Sequence, residues 1–185
     1  GMPACRVAIE GYGKVGMALA ELFQSAGSCV VAVSTSLGAL YNPNGLDIKS
    51  LSQLYSKAGS RLVELYDGAE RLNCSALLEL AVDILSPCAT RHTLHMGNVS
   101  QVKARVLCPG ANNPITPEAE NMLFERGVLC LPDFVTNCGG VLGGTMGFAA
   151  LETKHIVSLI APYIENRITW LLKEAARSHA LPRDI

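Results

Sequence analysis

The chain has 185 residues, room for one domain and little more, with 49% hydrophobic and only 17% charged residues at a mean hydropathy of +0.28. That balance excludes disorder and points to an interior such as a parallel sheet covered on both faces. Fifteen basic residues against sixteen acidic ones leave a formal charge of −1, which builds no field for nucleic acid or an anionic membrane.

Residues 5–10 form a short β-rich run that ends in glycines. Over residues 14–26, Val15, Ala18, Leu19, Leu22 and Phe23 recur at helical spacing, and Gly27 stops the run. Residues 29–33 are apolar without alternation, as a doubly covered parallel strand should be. Asn42-Pro-Asn-Gly45 is a turn cluster, and Asp47 then caps a helix to about Ala58 with Ile48, Leu51, Leu54 and Tyr55 on one face. Residues 59–74 carry no clear period. A helix over 75–80 precedes a third strand at 82–85, closed by Pro87. A short helix near Val99 leads to a fourth strand at 104–108. Thr116-Pro-Glu-Ala opens a further helix with a hydroxyl cap, a first-position proline and an acid in the first turn; Gly127 ends it. Residues 128–130 give a fifth strand, a glycine-rich segment follows, and a long helix runs from about 154 to 178. Strands alternating with helices in this way predict an α/β, Rossmann-type, doubly wound parallel sheet in three layers with a long C-terminal helix.

Seven dispersed cysteines without a Cys-x-x-Cys pair read as reduced thiols in a cytoplasmic protein. The leading Gly1-Met2 pair reads as a tag remnant, and no signal peptide is expected. The uncharged stretch 134–151 holds five glycines with Thr136, Asn137 and Thr145, too polar and flexible to span a membrane. His92 and His95 after Cys88 lack a second cluster, so no metal site is expected.

Gly11-Tyr-Gly13-Lys-Val-Gly16 lies between the first strand and the first helix, the setting a dinucleotide fingerprint requires. The first glycine permits the tight turn, the second lets backbone approach the pyrophosphate, and the third lets helix and strand pack closely. The phosphates then meet free N–H groups at the positive end of the helix dipole. The acid expected about 20 residues on is absent; Ser34, Thr35 and Ser36 stand there, with no arginine either. Three hydroxyls suit NAD or NADP.

Five ordered motifs over about 130 residues resemble the glutamate, leucine, phenylalanine and valine dehydrogenase family. They are the fingerprint with Val31-Ala-Val-Ser-x-Ser36 and Gly38-Ala-x-Tyr-Asn-Pro-Asn-Gly-Leu-Asp47; Val82-Asp-Ile-Leu-x-Pro-Cys-Ala89; Gly110-Ala-Asn-x-Pro-x-Thr-Pro-Glu-Ala119; Arg126-Gly-Val-x-x-Leu-Pro-Asp133; and Asn137-x-Gly-Gly-Val141. The match covers the family's C-terminal, cofactor-binding part, so residues 1–185 are read as a single dinucleotide-binding domain. The resemblance implies NAD or NADP as cofactor, with Gly11, Tyr12, Gly13, Lys14, Val15 and Gly16 at the pyrophosphate and Ser34 and Thr35 at the adenosine ribose. It further implies Cys88 and Ala89 along the coenzyme through backbone groups, Ala111 and Asn112 near the nicotinamide ribose, and Asn137 near the nicotinamide amide. Read from the residues alone, Asn137 is also placed to cap the next helix and Asn112 to make a turn.

The activity implied is oxidative deamination of an L-amino acid, in which hydride passes to the nicotinamide and water opens the resulting imine to a 2-oxo acid and ammonia. The departures limit that reading. Thr35 stands at the usual ribose-binding aspartate, Pro109 and Asn113 replace a glutamate and a glycine, and Gly144 stands at a substrate-binding serine. The family's N-terminal domain, with its catalytic lysine and aspartate, is not in this sequence. No catalytic residue is therefore assigned, and the chain alone is expected to be inactive without that domain as partner. A homo-oligomer is among the expected partner states, and its size is left open. The rival reading is a non-catalytic NAD(P)(H)-binding module that senses redox state or supports a partner.

Overall fold

The computed structural model describes residues 4–148 and 152–185. The Gly1-Met2 pair and the last three residues of the uncharged stretch lie outside them. Seven strands make one sheet: β1 (Arg6–Glu10), β2 (Cys29–Thr35), β3 (Gly38–Tyr41), β4 (Glu70–Leu72), β5 (Ile84–Pro87), β6 (Val106–Leu107) and β7 (Leu129–Cys130), in the order β4-β3-β2-β1-β5-β6-β7. β2, β1, β5, β6 and β7 run parallel. β3 and β4 are antiparallel at one edge, so the sheet is mixed where an all-parallel one was expected. Neither strand declared itself. β3 is four residues joined to β2 through only Ser36-Leu37, and β4 is a short, mostly exposed Glu-Arg-Leu.

Helices cover both faces. α1 (Lys14–Ser25), α2 (Ile48–Ala58) and α3 (Leu62–Leu65) enclose a core of Val7, Ile9, Val30, Val33, Ile48, Leu51 and Leu62. α4 (Cys74–Leu78), α5 (Pro117–Glu125) and the 94–104 segment cover the other face, where Ala8, Val31, Leu77, Leu85, Leu94 and Leu123 meet. The caps fall where the sequence put them: Asp47 Oδ1 accepts from the Ser50 N–H at 3.1 Å, and Thr116 Oγ1 from the Ala119 N–H at 3.4 Å. The third parallel strand begins two residues later than expected, because Asp83 is an anchor: its Oδ2 accepts the Arg6 N–H at 2.9 Å.

α1 also turns differently. Gly16 and Ala20 are its buried residues, whereas Val15 and Leu22 of the expected apolar face are 49% and 65% exposed. Close approach to the sheet decides this orientation. A Cβ on Gly16 would overlap the Gly11 carbonyl oxygen and lie 3.2 Å from Ile9 Cγ2.

The glycine-rich segment is helical despite its composition. After α6 (Asp133–Thr136), α7 (Gly139–Phe148) packs on α8 (Thr153–Ser178). A Cβ on Gly143 would rest 3.7 Å from Ile156 and one on Gly139 3.9 Å from Ile164, so these two glycines face α8, while Gly140, Gly144 and Gly147 meet nothing within 4 Å. No helix among the described residues is long and apolar enough to cross a membrane. Two glycine substitutions should therefore act oppositely. Gly16→Ala overpacks the α1–β1 contact and should cost about 1–3 kcal/mol in urea unfolding. Gly140→Ala, with nothing within 4 Å of the new Cβ, should add about 0.5–1 kcal/mol by helix propensity.

Candidate functional site

The carboxyl ends of β1, β2 and β5 meet in a cleft of about 400 Å³. Gly11 has φ +95°, and a Cβ there would stand 2.7 Å from Ala89, so only glycine lets the two strand ends touch. The Gly11 N–H donates to Ser34 Oγ at 3.0 Å and the Tyr12 N–H to the Ser34 carbonyl at 2.6 Å. Gly13 occupies the N-cap of α1 in extended backbone with nothing within 4 Å of a Cβ. No side chain caps that helix, and its first turn holds no acid. Its leading N–H groups are thus left without a side-chain cap at the positive end of the dipole.

The structure brings Gly11, Tyr12, Gly13, Ser34, Thr35, Cys88 and Ala89 together in the walls of this cleft. Tyr12 contributes backbone only. Its ring is 1% exposed, packs edge-on against Tyr55, and bonds Ser52 Oγ at 3.1 Å. Lys14 and Val15 are exposed on the first turn of α1, outside those walls, and Gly16 is buried beneath them. The Thr35 hydroxyl is already committed, donating to the Ser60 carbonyl at 3.0 Å and accepting the Leu37 N–H at 3.2 Å. Ser36 and Ser60 also line that end, the Ser36 hydroxyl donating to Ser60 Oγ at 3.3 Å. Ser60 had no sequence signal, since it arrives from the 3-10 turn after α2. Burial pushes the Cys88 thiol up to about 12, so it stays neutral and is no nucleophile.

The remaining expected residues form a second cluster farther along the same edge. Asn137 Nδ2 donates to the Ala111 carbonyl at 3.2 Å and to Asn112 Oδ1 at 2.6 Å. The Asn137 side chain is therefore turned to the 111–112 loop and away from a capping role. The N–H groups of Gly110 and Ala111 both donate to the Pro87 carbonyl, at 2.9 and 3.0 Å, which ties this loop to the end of β5.

The sequence profile described as Glutamate/Leucine/Phenylalanine/Valine dehydrogenase matches residues 2–158. The chain belongs to that family. Glutamate dehydrogenase of Thermotoga maritima is 46% identical over 136 residues, covering 73% of this chain and 32% of the relative. NADP-specific glutamate dehydrogenase A1 of Halobacterium salinarum is 43% identical over 136 residues, again 73% and 32%. The structure of hetero-hexameric glutamate dehydrogenase from Thermus thermophilus in its Leu-bound form superposes with a TM-score of 0.86 at 26% identity, covering 99% of this chain and 44% of that one. The chain thus spans about a third of the length of these curated dehydrogenases, and its Rossmann-type fold is that of the oxidoreductases it matches.

This family member fixes its second cluster with a clamp that sequence reasoning missed. Arg183, on the 3-10 turn Pro182–Asp184, donates to Glu120 Oε2 and to Asp133 Oδ1, each at 2.6 Å. Asp133 in turn accepts the Asn113 N–H at 2.9 Å, holding a residue at φ +46° beside Asn112. The two carboxylates respond differently. Burial pushes Glu120 up more than Arg183 pulls it down, and its Oε1 is buried without a partner. Burial also pushes Asp133 up, but the Asn113 N–H and Arg183 outweigh it and leave Asp133 below the usual carboxylate range.

Removing one member of a buried ion group leaves the others uncompensated. Arg183→Met should therefore cost about 3–5 kcal/mol in urea unfolding at pH 7. A depressed carboxylate contributes stability that is complete above its unfolded pKa and is lost as pH falls through the folded one. The Asp133 share of the deficit should accordingly shrink as pH falls below 4, and unfolding curves at pH 7 and pH 3 check this.

Proposed function

We propose that this chain is the NAD- or NADP-binding domain of an amino-acid dehydrogenase of the glutamate dehydrogenase kind, oxidising an L-amino acid to a 2-oxo acid and ammonia. The observation that carries the proposal is the uncapped start of α1 facing an open Gly13 in a cleft. Dinucleotide phosphates are anions, and such a helix start offers them N–H donors and the dipole without a competing acid on the helix. In this reading Gly11, Tyr12, Gly13, Lys14, Val15 and Gly16 shape the phosphate seat, and the backbones of Cys88 and Ala89 flank it. The Ser34–Ser36 end takes the adenosine ribose, while Ala111, Asn112 and Asn137 orient the nicotinamide half. Bound there, the nicotinamide supplies the hydride acceptor. The protein's part is placement and exclusion of water.

The chain's span of about a third of its curated relatives supports a division of labour. Substrate-holding and acid–base groups come from the remainder of such an enzyme, and Gly144 stands where the family carries a substrate-binding serine. Assembly as an oligomer in the cytoplasm completes the proposal.

The Gly13 backbone lies in ordinary extended space with room for a side chain. Gly13→Val should therefore melt near the wild-type temperature yet lose NAD and NADP binding by at least about tenfold, because the valine fills the approach to the phosphates. Titration calorimetry beside a thermal melt reads both. If wild-type protein binds neither dinucleotide at millimolar concentration, the proposal fails.

The second test concerns turnover. Proximity supplies about 7–11 kcal/mol of a barrier only when both reactants are fixed, and half a cleft fixes one. No NADH or NADPH should form from glutamate, leucine, phenylalanine or valine with this chain alone in an absorbance assay. Turnover by the isolated chain would place a catalytic group within these residues and overturn the division of labour.

A further inference from the structure

Among the described residues, Glu10 is the one charged side chain in the walls of the cleft that holds the seat assigned to the phosphates. Alternation along β1 sends Val7 and Ile9 to the α1 face and Ala8 with Glu10 to the other. As the last residue of β1, Glu10 reaches across to the end of β5, where its Oε2 accepts the Ala89 N–H at 3.2 Å. That contact lies on the backbone segment proposed to flank the coenzyme.

The titratable groups facing the cleft from neighbouring elements are Cys88 after β5, Cys74 at the start of α4 and Tyr55 on α2, the Tyr12 hydroxyl being buried on Ser52. None carries positive charge. Among the described residues no lysine or arginine lines the cleft walls; Lys14 sits exposed on the first turn of α1, outside them.

Resting on the dinucleotide reading, we propose that Glu10 is a coenzyme-binding residue that meets the dinucleotide in its protonated form, so that binding is linked to proton uptake. A carboxylate and a pyrophosphate repel at close quarters, and protonation removes one of the two like charges. The neutral carboxyl keeps one oxygen for the Ala89 N–H and gains an O–H to donate. Burial already pushes Glu10 up, against the pull of the Ala89 and Cys88 N–H groups and the Thr93 hydroxyl. Bound phosphate pushes it in the same direction. A group whose pKa rises on binding binds a proton with the ligand, so affinity grows as pH falls through the interval between the free and bound values.

The experiment titrates wild-type protein and Glu10→Gln with NAD at pH 5.5 and pH 8. Calorimetry in two buffers of different ionisation enthalpy counts the protons. Wild type should bind about tenfold more tightly at pH 5.5 than at pH 8, the factor that one unit of pKa shift supplies, and should take up a fraction of a proton, about half at the maximum for a shift of that size. Glu10→Gln keeps the acceptor for Ala89 without the charge. It should bind at pH 8 as tightly as wild type at pH 5.5, with no proton uptake.

Wild-type binding without proton uptake overturns the proposal and leaves the dinucleotide reading standing. So does a Glu10→Gln variant that keeps the wild-type pH slope, or one that binds more weakly at both pH values. If Glu10→Gln does not fold, the wild-type proton count decides alone. Absence of wild-type binding at either pH overturns the dinucleotide reading itself, and this inference with it.

Discussion

A Cβ atom at residue 11 would stand 2.7 Å from the Cβ and the N of Ala89, and one at residue 16 would overlap the Gly11 carbonyl. The ends of β1 and β5 and the start of α1 can converge only because both side chains are missing. The positive φ of Gly11 adds a second requirement at the first of these places. The rest of the carboxyl edge takes its position from that convergence. The Gly11 N–H reaches the Ser34 hydroxyl at 3.0 Å, and the Cys88 N–H reaches the Glu10 carbonyl at 2.7 Å. Gly13 is a glycine of another kind. Its absent side chain meets nothing within 4 Å and leaves room where the others permit contact. The fingerprint divides into two glycines that build the fold and one that leaves the seat open.

That division explains what the sequence disclosed. The parallel strands of the centre are buried on both faces, so their unbroken apolar runs announced them, and the caps of α2 and α5 rest on local side-chain chemistry that spacing reveals. β3 and β4 were silent because short edge strands bury little and need no distinctive pattern. α7 was silent because five glycines mask helical propensity, and packing against α8 supplies what propensity does not. In the cleft, the glycine and hydroxyl contributions were legible from the motif. Ser60 was not, since it is joined to Thr35 only by the return of α2 to the sheet.

Arg183 illustrates the remaining blind spot. It lies 50 residues from Asp133 and 63 from Glu120, and nothing local marks it as other than a surface cation. Its value arises only after α8 has carried the chain back over α5 and α6. There it stacks on Phe134 with 5.4 Å to the ring centroid and pairs with two carboxylates that are 3% and 8% exposed. An ion group so placed adds little net stability over an apolar replacement, but it tolerates only one arrangement. Here that arrangement fixes Asp133, which holds the backbone of Asn113, the neighbour of Asn112.

The two halves of the carboxyl edge are therefore set by different forces that share one strand end. The Pro87 carbonyl takes the N–H groups of Gly110 and Ala111, while the next residue, Cys88, closes on Glu10. β5 is held by ladder bonds to β1 and β6 on either side, so its end cannot shift without breaking both. The spacing between the open glycine turn and the Asn112–Asn137 amides is thus a property of the sheet and not of the loops. A small phosphate compound could use the first half alone. A ligand long enough to reach from the turn to the amides gains from both at once, and the rigidity of β5 spares it the entropy of ordering a second site. With no cation among the described residues of the cleft walls to reward charge alone, length and fit are what the edge selects.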